Sequence, residues 1–159
     1  MMKKIQITPK QALARIQKIC SNQEKCSFDV YQKLFDWGFE NMAIEKIINN
    51  LIDDKFVDDN RFAKSFVREK FRFNNWGRIK ITYALKQKRI PESTINLALE
   101  EIEEEEYLHI LETELIKKKK SIKAKNQFDL KGKLLRFGQS KGFEIEYILR
   151  IIERLIRNP

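Results

Sequence analysis

Hydrophobic residues recur along this chain at a spacing typical of α-helices, and the same pattern appears in three consecutive stretches. In each stretch four residues follow an i, i+3, i+4, i+7 spacing, which places their side chains on one face of a helix. The sets lie 51 and then 53 residues apart: Ile44, Ile47, Ile48 and Leu51; Ile95, Ala98, Leu99 and Ile102; Ile148, Ile151, Ile152 and Leu155. The chain is therefore predicted to repeat one helical unit.

A shorter amphipathic segment precedes each of these sets, and a position that favours glycine follows each segment. The segments carry Val30 and Leu34, then Ile81 and Leu85, then Leu134 and Gly138. Gly38, Arg89 and Gly142 follow at matching places. Glycine at such a place is typical of the left-handed residue that ends a helix.

These features favour an all-α protein built from three tandem three-helix repeats, at residues 1–55, 56–104 and 105–159. Repeated units of this kind stack side by side, so we expect an elongated, curved helical array with an extended binding surface. A β-sheet has little support, because Gly totals only 5, Pro only 3, and no strand-like alternation of β-branched residues appears.

Capping residues predict where several helices begin. Thr8, Pro9 and Gln11 form a capping box with proline at the first helical position. Further N-caps are expected at Ser27, at Asn41 and at Asp58 or Asp59, because their side-chain oxygens can accept bonds from the amides of the first turn.

Several functional classes have no support in the sequence. No apolar run approaches the roughly 20 residues needed to cross a bilayer, and the N-terminus lacks the pattern of a signal peptide, so we expect a cytoplasmic protein without membrane contact. Cys20 and Cys26 are expected to be packed free thiols. No phosphate-binding glycine loop, dinucleotide-binding motif or Cys/His metal spacing is present, so no cofactor and no enzymatic activity are expected.

The acidic and histidine residues also give little support to catalysis. His109 is the only histidine, and no arrangement of a nucleophile and a base surrounds it in sequence. The nearest carboxylate cluster comprises Asp53, Asp54, Asp58 and Asp59. Helix capping explains these aspartates more simply than catalysis does, and a carboxylate nuclease remains a remote alternative.

The net charge of +9 is concentrated in two blocks. Ten Lys or Arg residues and one acid lie between Arg61 and Arg89, and the same numbers lie between Lys117 and Lys141. The intervening stretch contains six glutamates between Glu100 and Glu106, which favour a solvated helix face over a metal site. A block of positive charge offers a surface to phosphates or to an acidic protein face.

The first block forms a stripe on the helix expected after Asp59. A helical wheel places Arg61, Lys64, Arg68 and Arg72 within one narrow arc, with Phe62, Phe66 and Phe73 roughly opposite. These cations repeat about every 5 to 6 Å along the axis, a spacing that suits the phosphates of a nucleic-acid strand. An ordinary solvated face is an equally good interpretation.

Aromatic residues interleave the first block and could stack on splayed bases. They are Phe66, Phe71, Phe73, Trp76 and Tyr83. Core packing is the simpler interpretation for most of them. Phe71 is the exception, because the wheel places it away from the apolar arc.

The second block is less regular. Lys117 to Lys120 point all round a helix, and Lys119 falls on the apolar stripe of Leu108, Leu111, Leu115 and Ile122. Either Lys119 extends its ammonium group out to water or the helix ends there. We favour a mobile lysine-rich segment between Lys117 and Lys133.

The middle of the chain resembles the central motif of the RecX family, the bacterial regulators of the RecA recombinase. The matching residues are Phe56-Val57-Asp58-Asp59-Asn60-Arg61-Phe62-Ala63, Phe66-Val67-Arg68, Gly77, Lys80-Ile81, Leu85, Lys88 and Ile90. The resemblance extends to Ala12-Leu13, Cys26-Ser27 and Lys33-Leu34 at the front and to Lys141-Gly142-Phe143 at the back. Two residues depart from the family pattern: Arg89 stands where glycine is usual, and Lys80 where arginine is usual.

The resemblance implies a non-enzymatic protein that binds in the groove of the RecA filament on single-stranded DNA and lowers ATP hydrolysis and strand exchange. The expected partners are the RecA filament and single-stranded DNA, with duplex DNA a further option, and we expect a monomer. The candidate residues for binding DNA or the recombinase are the following cations: Arg61, Lys64, Arg68, Arg72, Lys80, Lys88, Arg89, Lys117, Lys118, Lys120, Lys123, Lys125, Lys131 and Lys133. The alternative is a free-standing DNA-binding helical protein, such as a helix-turn-helix transcription factor.

Overall fold

The structure is a computed structural model that describes residues 6–157, and these residues form nine α-helices and no strand. The helices are α1 (Pro9–Asn22), α2 (Ser27–Asp36), α3 (Asn41–Asp53), α4 (Asp59–Arg72), α5 (Arg78–Gln87), α6 (Glu92–Leu99), α7 (Glu104–Ser121), α8 (Gln127–Ser140) and α9 (Ile145–Arg157). The prediction of an all-α fold is confirmed.

Side-chain caps fix the beginnings of several helices. The Thr8 hydroxyl accepts from the backbone N–H of Gln11, and the Gln11 side chain accepts from the backbone N–H of Thr8, which confirms the capping box. Asp58 caps α4 by accepting from the backbone N–H of Arg61 at 3.0 Å. The predicted caps at Ser27 and Asn41 are wrong by one residue, because each is the first helical residue and the cap position precedes it.

The helices α2, α5 and α8 end in the same way, as the spacing of Gly38, Arg89 and Gly142 predicts. These three residues have left-handed φ angles of 91°, 58° and 92°. In each case the residue after them donates its backbone N–H to a carbonyl five positions back, with N···O distances of 3.1 Å throughout. This pattern is the Schellman motif, which satisfies carbonyl groups at a helix end. Arg89 therefore adopts the conformation of the glycine that it replaces.

The buried apolar residues form two clusters. Eight fully buried residues from α1 to α3 and the following turn make the first cluster. The second contains nineteen buried residues, nearly all from α4 to α9, together with Cys26 at the start of α2. The prominent packing contacts between helices lie within consecutive triplets, α1–α3, α4–α6 and α7–α9. We propose these triplets as the three repeats, of which the second and third share one core.

The surface area of the chain supports an extended arrangement. Its accessible surface is 10801 Å², whereas a compact monomer of 19.1 kDa is expected to expose about 8,400 Å². The additional exposure is typical of units placed side by side. The curvature of the array stays a prediction.

Two aromatic assignments from the helical wheel are wrong. Phe71 is 2% exposed, and its ring lies 5.9 Å from that of Tyr107, so it belongs to the core. Phe73 is 84% exposed at the C-cap of α4, where its backbone N–H still donates to the Glu69 carbonyl but no neighbouring helix covers its ring. A wheel drawn for one helix shows neither where that helix ends nor how many neighbours it packs against.

Both cysteines are free thiols, as expected. Burial raises the pKa of the Cys26 thiol to about 11, so this group is protonated at neutral pH. Cys26 therefore packs as a small apolar side chain. Within residues 6–157, no helix combines the length and the apolar content that a bilayer crossing requires.

Candidate nucleic-acid interface

The four cations of the α4 stripe are exposed on one face, but three of them lie against acids from other helices or turns. Arg61 Nε is 2.6 Å from Glu24 Oε1, and Arg68 Nε is 2.9 Å from Glu101 Oε2. The third pair joins Arg72 Nε to Glu106 Oε1 at 3.8 Å. In the part of the chain that the structure describes, no ion pair involves Lys64.

The pair between Arg68 and Glu101 is the best aligned of the three. Arg68 donates from Nε at 2.9 Å and from Nη2 at 3.2 Å, one bond to each carboxylate oxygen. The hydrogen bond from Arg68 holds the pKa of Glu101 below its usual range. Exposed pairs contribute only about 0 to 1 kcal/mol, so a phosphate group can replace the carboxylate at small cost. Three of the four stripe cations are therefore balanced by acids from elsewhere in the fold.

Lys80, Lys88 and Arg89 lie at contacts between helices. Lys88 Nζ is 2.7 Å from Asp29 Oδ1, which joins α5 to α2. The Arg89 guanidinium lies 5.0 Å from the ring centre of Phe28, also in α2. Lys80 Nζ lies 4.6 Å from the Trp76 ring and donates to the Ser140 carbonyl at 3.4 Å. These contacts give all three residues a structural role, and their part in binding stays a prediction.

The second basic block is largely helical, so the predicted mobile segment between Lys117 and Lys133 is wrong. Helix α7 continues to Ser121 and α8 begins at Gln127, which leaves a connector of residues 122–126. Lys117, Lys118 and Lys120 are exposed on the last turns of α7, where positive charge complements the helix dipole. Lys123 and Lys125 lie on the connector, and Lys131 and Lys133 on α8.

The sequence left open whether the helix ends at Lys119 or continues with the Lys119 side chain extended, and the structure shows the second arrangement. The helix does not end there, and the half-buried side chain extends until Nζ donates to the Leu155 carbonyl near the end of α9 at 3.1 Å. The stem of the lysine packs while its ammonium finds an acceptor, which is the behaviour described as snorkelling. This contact attaches α7 to α9.

A group of polar side chains at the junction of α5, α7 and α9 was missed by the sequence analysis. Arg78 donates to Glu104 at 2.8 Å and to Glu144 at 3.2 Å, and its guanidinium lies 3.9 Å from the ring centre of Tyr107. The fully buried Tyr107 hydroxyl accepts from the Arg78 backbone N–H at 3.0 Å and donates to Glu144. Burial, followed by the bond to Glu144, raises the pKa of Tyr107. The only signal in the sequence is that Tyr107 precedes Leu111 by one helical turn.

Direct backbone contacts hold this junction together, which indicates a structural role. The Gly77 N–H donates to the Lys141 carbonyl at 2.7 Å, and the Ile79 N–H donates to the Gly142 carbonyl at 3.0 Å. A Cβ atom at Gly77 would lie 2.3 Å from the Gly142 oxygen. Gly77, the glycine of the family motif, therefore allows the backbone at the start of α5 to lie directly against the backbone at the end of α8.

Two of the four carboxylates in the remote catalytic alternative, Asp58 and Asp59, have structural partners. Asp58 caps α4, and Asp59 accepts from the Ser27 backbone N–H at 2.8 Å, which ties α4 to the start of α2. Among the residues from 6 to 157, no group of three or more His, Cys, Asp or Glu side chains is arranged to hold a metal ion. Capping and tethering account for the motif aspartates.

Comparison with known proteins places this chain among the RecX proteins. The family model of the second three-helix domain of RecX matches residues 58–99, which span α4 to α6. The regulatory protein RecX of Vibrio campbellii is 36% identical over 131 residues, covering 82% of this chain and 83% of the relative. The regulatory protein RecX of Clostridium tetani is also 36% identical, over 142 residues that cover 87% of this chain and 64% of the relative.

Solved structures show the same fold. The crystal structure of RecX from Lactobacillus salivarius aligns with a TM-score of 0.80 at 23% identity, covering 94% of this chain and 97% of that one. Another crystal structure of regulatory protein RecX aligns with a TM-score of 0.83 at 23% identity, covering 92% of this chain and 71% of that one. The fold, the family-model match and the sequence identity agree, and this chain belongs to the RecX family of regulatory proteins.

Proposed function

We propose that this protein binds the RecA filament on single-stranded DNA and lowers its ATP hydrolysis and strand exchange. The observation that carries the proposal is family membership, since relatives at 36% identity over most of the chain are named regulatory proteins. RecA is the proposed partner because it is the recombinase that the RecX family regulates. The protein acts by binding rather than by chemistry of its own.

The distribution of charge supports a long, negatively charged partner. Exposed cations lie on α4, on the end of α7 and on the connector before α8. Neutralising several phosphates releases counterions and gives an affinity that falls as salt rises. The acids that face the α4 stripe reduce nonspecific attraction, because they must be displaced before a phosphate can bind. The extended molecule spreads these contacts over a longer surface than a compact one offers.

Inhibition follows from a difference in affinity for two filament states. If the protein binds the less active state more tightly, it shifts the population towards that state, and turnover falls without any change at the ATPase site. A tenfold preference corresponds to about 1.4 kcal/mol. A few contacts that form in only one state supply this difference.

The test is ATP hydrolysis by the recombinase on single-stranded DNA, titrated with this protein. We expect hydrolysis to fall to a plateau, and strand exchange to fall with it. A variant in which Arg15 and Lys46 are changed to Gln removes two exposed charges from α1 and α3 and serves as the control, with inhibition retained. Unchanged hydrolysis at saturating protein would contradict the proposal.

A further inference from the structure

An open pocket of about 500 Å³ lies between the end of α7, the connector and the second half of α8. Four cationic side chains line it: Lys118, Lys123, Lys133 and Arg136. In the described part of the chain, no Asp or Glu is among the lining residues. Like charges around one space repel one another, and among the described residues only Lys133 of the four has an ion-pair partner, Asp129.

Helix dipoles do not account for this arrangement. Lys118 lies in the last turn of α7, where positive charge is stabilised by the dipole. Lys123 comes from the connector, and Lys133 and Arg136 come from the middle of α8. Three separate segments therefore contribute charge to one pocket.

Two of the four cations, Lys133 and Lys118, are held in position by contacts that leave donors available. Lys133 Nζ donates to the Lys123 carbonyl at 2.8 Å and lies 3.1 Å from Asp129 Oδ2, which ties the connector to α8. Lys118 Nζ lies 5.3 Å from the ring centre of Phe137, on the apolar side of the pocket. The backbone N–H of Lys125 and then the Lys133 ammonium hold the pKa of Asp129 below its usual range, so this carboxylate stays charged and anchors the connector.

We propose that this pocket binds a backbone phosphate of single-stranded DNA. An ammonium group supplies point charge, whereas the Arg136 guanidinium can donate two parallel hydrogen bonds to a phosphate. The pocket is open, so a polynucleotide can pass through it, whereas a free nucleotide needs a site that encloses most of its surface. The inference rests on the proposed function, because it identifies one place where the protein meets the DNA of the filament.

The test measures the affinity of the protein alone for fluorescein-labelled oligothymidylate, by fluorescence anisotropy at several salt concentrations. The pocket variant changes Lys123 and Arg136 to Gln, and the control variant changes Arg15 and Lys46 to Gln, so both have the same net charge. We expect the pocket variant to bind about tenfold more weakly at low salt, with a salt slope smaller by about 0.7 because the pocket neutralises one phosphate of the single strand. The control should stay close to the parent.

Three further measurements keep the result interpretable. A variant with Lys123→Arg preserves the charge and keeps Arg136, so it should retain affinity, and circular dichroism checks that every variant stays helical. Excess unlabelled oligothymidylate should displace the probe, whereas ATP at the same nucleotide concentration should not. Equal affinities of the pocket and control variants, or displacement by ATP as effective as by the oligonucleotide, would overturn the proposal.

The DNA-binding test can be interpreted independently of the ATPase assay, because it uses this protein and the oligonucleotide without recombinase. If the pocket variant loses DNA binding while the parent protein leaves recombinase hydrolysis unchanged, the pocket stands and the proposed function fails. If hydrolysis falls but the pocket and control variants bind the oligonucleotide equally, the proposed function stands and the pocket fails.

Discussion

At position 89 an arginine occupies a backbone conformation that glycine adopts more readily. Its φ angle is 58°, and it closes α5 with the same hydrogen bonds that Gly38 and Gly142 make after α2 and α8. A left-handed conformation costs a residue with a Cβ atom about 1 to 2 kcal/mol. The guanidinium lies 5.0 Å from the Phe28 ring, and such a contact at an exposed site offsets about 0.5 to 1 kcal/mol of that cost.

Changing Arg89 to Gly should stabilise the protein by about 0.5 to 1 kcal/mol, because relief of the left-handed conformation exceeds the loss of the contact with Phe28. Changing Arg89 to Ala removes the same side chain and keeps the strained backbone, so it should destabilise. Denaturation by urea measures both free energies of unfolding. The two variants should differ by the strain itself, about 1 to 2 kcal/mol, and equal stabilities would contradict the assignment of strain at this position.

Single-residue roles were predictable from the sequence where the interacting groups lie close together in the chain. Thr8, Gln11 and Asp58 act as caps because the bonded groups lie within three positions of one another in the chain. Phe71 was misassigned because its burial depends on Tyr107, which the chain brings back from 36 positions away, as the numbering shows. A distant partner of this kind leaves no signal in the local spacing.

At the scale of helices, the sequence predicts which cations of α4 share one face, but it does not predict the acidic residues that lie beside them. The wheel places Arg61, Lys64 and Arg68 on one face because helical spacing is regular. Glu101 lies 33 positions after Arg68, and only the packing of α6 against α4 brings the two together. The sequence therefore predicts a positive face, whereas the structure shows three of its four cations paired with carboxylates, with which an incoming phosphate would have to compete.

This competition predicts that removing one acid strengthens DNA binding. Changing Glu101 to Gln frees the Arg68 guanidinium and reduces the negative field on Lys64 and Arg72. We expect affinity for single-stranded oligothymidylate at low salt to rise about threefold, equivalent to about 0.6 kcal/mol, with the gain shrinking as salt rises.

Glu100 gives a matched control for this experiment. It is an exposed neighbouring glutamate for which the described part of the chain shows no ion pair, so Glu100→Gln makes the same change in net charge. A general charge effect would raise affinity equally in both variants. If Glu101→Gln binds no more tightly than Glu100→Gln, the α4 stripe does not meet DNA through Arg68.

At the scale of the whole molecule, the junctions between the proposed repeats differ in kind. The middle and last triplets share one core and two direct backbone hydrogen bonds, from Gly77 to Lys141 and from Ile79 to Gly142. The first triplet has its own core and meets the middle one through Cys26, the Lys88–Asp29 pair, the Arg61–Glu24 pair and the bond from Ser27 to Asp59. The repeat pattern predicted three equivalent modules, since sequence similarity says little about the contacts between them.

Native-state hydrogen exchange should therefore show two opening units. We expect the amides of α1 to α3 to open together at a lower free energy than those of α4 to α9, because eight buried residues hold the smaller core and nineteen the larger. Changing Asp29 to Asn should lower the opening free energy of α1 to α3 by up to about 1 kcal/mol and leave α4 to α9 unaffected, since it weakens the partly exposed pair with Lys88.

Asp36→Asn is the matched control, because Asp36 is an exposed acid on the same helix for which residues 6–157 show no ion pair. A single opening free energy for all the described helices would show that the protein behaves as one cooperative unit. If two units are found, the first triplet can change its angle against a filament while α4 to α9, which carry most of the candidate cations, stay fixed. If the proposed function holds, adjustment to the filament would then occur at the ion-paired junction between the first and middle triplets, where screening by salt makes the rearrangement easier.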